Sequence, residues 1–152
     1  YPVRFTVIRC PYDRFISAYY DKCISDIRRM KVINKALGRS GFSVIEPLDF
    51  LKFLEDRAAL YSDRHWAPQI SLMSFPREGD TDVISFNDLS LGLPKVMKKI
   101  FGADAYVVNV APHKKNQKEN FLDGNIKRRL QAIYEDDFRM FDLVNSGTDP
   151  VL

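Results

Sequence analysis

Residues that build metal centres and disulfide frameworks are scarce here: two cysteines and two histidines in 152 residues. Cys10, Cys23, His65 and His113 show no metal-ligand spacing, so no metal is expected. A helical path between Cys10 and Cys23 would hold the pair too far apart for a bridge, and two free thiols suit a reducing compartment. No apolar run approaches the ~20 residues needed to span a bilayer. Residues 1–152 themselves hold neither a signal-peptide pattern nor an Asn-x-Ser/Thr acceptor. None of the seven glycines stands in a Gly-rich loop ending in Lys-Ser/Thr, the feature a kinase of the Walker type would need. Charge of one sign is not in excess either. With 23 basic against 20 acidic residues and a net charge of +3, an anionic partner such as a nucleotide or acidic sugar is mildly favoured, and nucleic acid is not expected.

What is present is an ordinary globular composition, 45% hydrophobic and 28% charged, enough for one domain with a substantial core. Ile16, Tyr20, Cys23, Ile27 and Met30 recur at helical spacing and predict a first helix from Pro11 to about Val32 with one buried stripe. Gly38-Arg39-Ser40-Gly41 reads as a loop, and Pro47 opens a helix with Leu51, Leu54 and Ala58 on one side. Residues 61–80 carry His-Trp, two prolines and a glycine without periodicity, which marks an irregular loop of the kind that often bears function. Strands are expected at Val83–Phe86 and Tyr106–Val110, a short helix through Leu93, Val96, Met97 and Ile100 ending at Gly102, and a closing amphipathic helix from Ile126 to Phe141. Strands alternating with helices imply an α/β fold with a mainly parallel sheet flanked by helices, and ligands at the carboxyl ends of its strands.

Arg9 falls at such an end. The β-branched run Val3–Ile8 leads to it, Pro11 suits the first position of a helix where no N–H is needed, and Ser17 lies in the opening turns. A helix start offers unpaired N–H groups and a positive dipole end, so a phosphate there could also collect Arg9 and Ser17. The alternative is a plain strand-to-helix junction.

The wording of this stretch, Arg-x-Pro-x-x-Arg-Phe-x-Ser-Ala-Tyr-x-x-Lys over 9–22, resembles the 3′-phosphate-binding segment of sulfotransferases that use 3′-phosphoadenosine 5′-phosphosulfate (PAPS). The likeness is to the Golgi-type carbohydrate sulfotransferases and their bacterial relatives. It continues in order: Asp63-Arg64-His65-Trp66-Ala67-Pro68-Gln69 resembles their Asp-x-His-Trp-x-Pro-Gln stretch. Asp82–Leu89 is similar to the family's next strand, and Tyr134–Phe141 to its closing Tyr-x-x-Asp-Phe-x-x-Phe helix. Where the carbohydrate enzymes often carry a Cys pair after His-Trp, this chain has Ser71-Leu72-Met73-Ser74.

The resemblance implies a P-loop-nucleotide-hydrolase-like sulfotransferase fold moving a sulfuryl group from PAPS to a carbohydrate hydroxyl. The family's 5′-phosphosulfate loop lies upstream of the Arg/Ser segment, so residues 1–152 are expected to form the C-terminal portion of a longer sulfotransferase-like domain, its first strand and loop missing. Arg9 and Ser17 would hold the 3′-phosphate. Arg14 is a further candidate for the nucleotide, or else pairs with Asp13 or a neighbouring helix. His65 is the candidate base, since sulfuryl transfer needs a group to take the acceptor's proton; alternatively it hydrogen-bonds its own loop and orients Trp66. Trp66 stacks on a sugar or fills the core. Lys114, Lys115 and Lys118 meet an anion or form a solvated basic loop. Glu55, Asp56, Glu135, Asp136 and Asp137 read as surface or helix charges. A cytoplasmic, bacterial member is favoured, the Golgi lumen remaining open to a protein with an upstream anchor. The competing function is a non-catalytic relative that binds nucleotide or glycan.

Overall fold

The computed structural model describes residues 3–73, 81–102 and 121–147. Two strands are present among them, β1 (Arg4–Ile8) and β2 (Thr81–Ser85), with eight α-helices. In chain order the helices are α1 (Pro11–Ala18), α2 (Ile27–Ala36), α3 (Pro47–Leu54), α4 (Arg57–Leu60), α5 (Gln69–Leu72), α6 (Leu89–Phe101), α7 (Gly124–Ile133) and α8 (Glu135–Asn145). The described residues group into two compact units. One draws on residues 3–10, 73, 81–102 and 139–147, the other on 11–72 and 121–138.

In the first unit β1 and β2 pair in parallel, with Arg4 opposite Thr81 and Ile8 opposite Ser85. This is a helix-rich α/β arrangement with a small parallel sheet, as alternating periodicity implies. The strand expected at Tyr106–Val110 and the basic loop with Lys114, Lys115 and Lys118 lie outside the described residues. After β2 the chain makes a 3₁₀ turn, Phe86–Asp88, and enters α6, which ends at Gly102 with φ of +83°, a conformation that glycine adopts without strain. Gly92 lets α6 approach the sheet: a Cβ there would come within 2.5 Å of Ile84 Cγ2.

The second unit is helical and carries an aromatic core. Phe15 stacks on Phe50 at 5.3 Å between centroids, and Tyr19, Leu51, Leu54 and Leu130 are buried around them. Burying each such side chain contributes roughly 1.5–3 kcal/mol before chain entropy is counted.

The first helix differs from the single rod expected over Pro11–Val32. It is three pieces: α1, a π-helical turn over Tyr19–Ile24, and α2 after a break at Ser25 and Asp26. Asp26 is extended, and its carboxylate accepts the Arg28 and Arg29 N–H groups at 3.0 and 3.1 Å, so it starts a new helix. The wider π turn shifts the helical register of the residues beyond it. Phe15, Tyr19, Cys23 and Ile33 face the core, while Ile27 of the expected stripe, beyond the π turn, is 58% exposed.

The same device divides the next helix. Asp56 accepts the Ala59 N–H at 2.9 Å and opens α4, leaving Ala58 exposed. The closing helix is likewise two, with Tyr134 as the corner between α7 and α8.

Candidate functional site

Of the irregular loop expected over 61–80, residues 74–80 lie outside the described residues, Gln69–Leu72 form the short helix α5 instead, and 63–68 lead into it as a braced turn. Asp63 sits at its head: the Trp66 and Ala67 N–H groups return to the Asp63 carbonyl at 3.2 and 2.9 Å. Asp63 Oδ1 accepts the His65 backbone N–H at 2.9 Å and meets His65 Nδ1 at 2.6 Å. Its other oxygen, Oδ2, lies 2.6 Å from Arg29 Nη2, an ionic contact rather than an aligned hydrogen bond. The Asp63 side chain is 3% exposed and that of His65 42%. Burial works to raise the Asp63 carboxyl, but the His65 N–H, the imidazole and the Arg29 charge outweigh it and hold the group below the usual carboxylate range.

Three carbonyls of the turn are held by distant side chains. Arg14 donates to the Ala67 carbonyl at 2.5 Å and the Arg64 carbonyl at 2.7 Å. Tyr134 donates its hydroxyl to the Trp66 carbonyl at 2.7 Å. Burial pushes the Tyr134 hydroxyl above its ordinary range, which keeps it a donor at any working pH. Asp137 then closes the turn at its far end, accepting the Gln69 and Ile70 N–H groups at 2.7 and 3.0 Å at the start of α5.

Asp137 corrects the expectation of a surface charge. It is 1% exposed, and burial raises its carboxyl although the two N–H groups and Arg14 pull the other way. Glu135 and Asp136 beside it are exposed, as expected. Asp56 caps α4, and Glu55 forms an exposed pair with Arg129 at 2.6 Å.

Trp66 belongs to the core. It is 2% exposed, meets Phe50 and Phe53 edge-on at 5.7 and 5.8 Å, and donates its indole N–H to the Ala59 carbonyl at 2.9 Å. His65, its neighbour in the chain, is thereby presented outward. A shallow pocket lies beside it, lined by Pro11, Arg14, Phe15 and Ala18 of α1, by His65 and Trp66, and by Tyr134 and Asp137.

Of the expected site residues, Arg14 and His65 come together in this pocket. Ser17 is half-buried on α1 in the same unit and does not line it. Arg9 belongs to the first unit, just past the carboxyl end of β1, with its guanidinium 5.2 Å from the Phe86 ring centroid. Cys23 is buried and its thiol pushed up to about 12 by that burial, which makes it an inert core residue, and both cysteines are free. Among the described residues no helix is long and apolar enough to cross a membrane, and no three His, Cys, Asp or Glu gather as metal ligands.

Four contributors were not singled out as site residues from the sequence: Asp63, Arg29, Tyr134 and Asp137. The i, i+3 spacing of Tyr134 and Asp137 would bring both to one face of a helix, but Asp137 hides within an acidic run. Arg29 could be found only once the break at Asp26 was known.

A turn that offers one outward imidazole, backed by a buried carboxylate and set against the opening of a helix, suits a group-transfer enzyme. The sulfotransferase family model matches residues 2–143, and the chain belongs to that family. No curated protein and no solved structure matches it.

Proposed function

We propose that the chain transfers a sulfuryl group from PAPS to a carbohydrate hydroxyl, with His65 as the base and residues 1–152 acting within one sulfotransferase domain. The acceptor oxygen forms a bond to sulfur, its proton passes to His65 Nε2, the bond from sulfur to the phosphate oxygen breaks, and 3′-phosphoadenosine 5′-phosphate leaves. The observation that carries this reading is His65 itself, which is half-exposed beside the pocket while its Nδ1 is occupied by Asp63. A base must have one nitrogen open to its substrate. Membership of the sulfotransferase family supplies the reaction class. PAPS and the carbohydrate acceptor rest on the likeness of the 9–22 and 63–69 segments to the carbohydrate enzymes.

Arg9 and Ser17 are assigned to the 3′-phosphate on the same likeness. Hydrogen bonds to charged groups contribute roughly 1.5–3 kcal/mol each, so Arg9→Ala should weaken 3′-phosphoadenosine 5′-phosphate binding about tenfold or more. Calorimetry on the full-length protein, with radiolabelled sulfate transfer from PAPS to a panel of glycans, tests both halves. Unchanged affinity in a folded Arg9→Ala protein removes the phosphate assignment. Nucleotide binding without transfer to any glycan would favour a binding protein.

Arg14 serves a different end in this reading. Its guanidinium is turned onto two loop carbonyls, so Arg14→Ala should destabilise the protein by about 1.5–3 kcal/mol, the worth of charged hydrogen bonds, and disturb turnover more than nucleotide affinity. Urea unfolding and calorimetry on the same variant measure the two effects. A tenfold loss of nucleotide affinity with stability unchanged would return Arg14 to the nucleotide.

A further inference from the structure

We propose that Asp63, anchored by Arg29, is the positioning residue that decides which nitrogen of His65 faces the acceptor, an inference that rests on His65 being the base. An ionised carboxylate can only accept hydrogen bonds, so the 2.6 Å contact between Asp63 Oδ1 and His65 Nδ1 requires the proton to sit on Nδ1. The neutral imidazole then carries its lone pair on Nε2, the nitrogen that must be bare to accept a proton. The same oxygen takes the His65 backbone N–H at 2.9 Å, which closes a small ring and fixes the imidazole's orientation as well as its tautomer.

Arg29 supplies the second half of the device. It meets the other carboxylate oxygen at 2.6 Å from the first turn of α2 and lies 6.0 Å from the Trp66 ring centroid, so the carboxylate is gripped from both sides. Asp63 is nearly shut from solvent. A buried carboxylate between a guanidinium and an imidazole is held as an anion, and it stabilises the imidazolium that forms when Nε2 takes the proton. The order of charges, Arg29, Asp63, His65, ends at the nitrogen that accepts the proton.

Ring-¹⁵N-labelled histidine makes the tautomer directly visible by NMR, and with two histidines in the chain the His65 signals are assigned by comparison with His65→Ala. In the wild-type protein, with the imidazole neutral, Nδ1 should be protonated and Nε2 bare. Asp63→Asn should shift the population toward Nε2–H and lower turnover at least about tenfold, within the roughly 10²–10⁴-fold ceiling set by a general base, with nucleotide affinity unchanged. Arg29→Gln should give a smaller shift in the same direction, and it covers the case in which Asp63→Asn fails to fold. A wild-type His65 protonated on Nε2 overturns the proposal without any variant. So does an Asp63→Asn protein whose tautomer and turnover match wild type. If Nδ1 carries the proton as expected but His65→Ala turns over normally, the base reading has failed while the Asp63–His65 geometry has not, so the two failures are told apart.

Discussion

Replacing His65 with Ala should reduce sulfate transfer by roughly 10²–10⁴-fold, the contribution typical of a general acid–base group, and leave donor-nucleotide affinity nearly unchanged. The alternative role, a histidine that merely organises its loop, has a different signature. Most bonds that hold the turn do not involve the imidazole: the returns to the Asp63 carbonyl are backbone bonds, and Arg14, Tyr134 and Asp137 grip main-chain groups. The backbone N–H of residue 65 also keeps its bond to Asp63 whatever side chain the position carries. What the Ala variant loses is a half-exposed ring and one contact, so its stability should fall by less than about 2 kcal/mol, the scale of a single charge-assisted hydrogen bond. Steady-state transfer rates measured beside urea unfolding separate the cases. A collapse of folding would support the organising role, and turnover near wild type would exclude both roles.

The elements that sequence pattern identified best are those where the physics is local. Val83–Phe86 was legible as a strand because its β-branched and aromatic residues stand beside a charged, Gly-containing segment, and β2 runs Thr81–Ser85. The Gly102 stop was legible because a left-handed helix exit favours glycine. The His-Trp turn over 63–68 declared itself through its lack of period, although α5, which follows it, did not. Long helical periodicity, by contrast, concealed the breaks at Asp26, Asp56 and Tyr134. An aspartate inside an apolar-periodic run reads equally as a surface charge or as the cap of a new helix, and only the fold decides between them. The break at Asp26 was enough to conceal Arg29.

The candidate site divided in the same way. Residue type and resemblance drew attention to His65 and Arg14, and the fold brings both to one pocket, but the hold of Arg14 on the Arg64 and Ala67 carbonyls was not foreseen. Asp63 stood within the Asp-x-His-Trp motif, yet its task depends on a turn that folds the carboxylate back over its own neighbours. Asp137 needed a partner 68 positions away in sequence, and no periodicity reports a contact of that range.

Trp66→Ala should have the largest effect on stability of any change at the site, a loss of about 3–5 kcal/mol, the usual consequence of removing a large buried aromatic side chain. Trp66 fills space between Phe50 and Phe53, and its indole N–H satisfies the Ala59 carbonyl, so the truncation leaves both a cavity and an unpaired acceptor. Since a domain of this size has only about 5–15 kcal/mol of net stability, the variant should unfold at markedly lower urea concentration. Trp66→Phe keeps most of the volume and should recover part of the loss, though not the bond to Ala59. If Trp66 instead stacked on a sugar, the Ala variant would fold normally and show a raised KM for the acceptor. An indole only 2% exposed has no face to offer a sugar. Its connection to catalysis is mechanical: the Trp66 carbonyl is held by Tyr134, and burying the indole turns the preceding residue outward, so Trp66→Ala should lose turnover together with its unfolding midpoint rather than independently of it. Acceptor KM rising in a variant of wild-type stability would refute the core assignment.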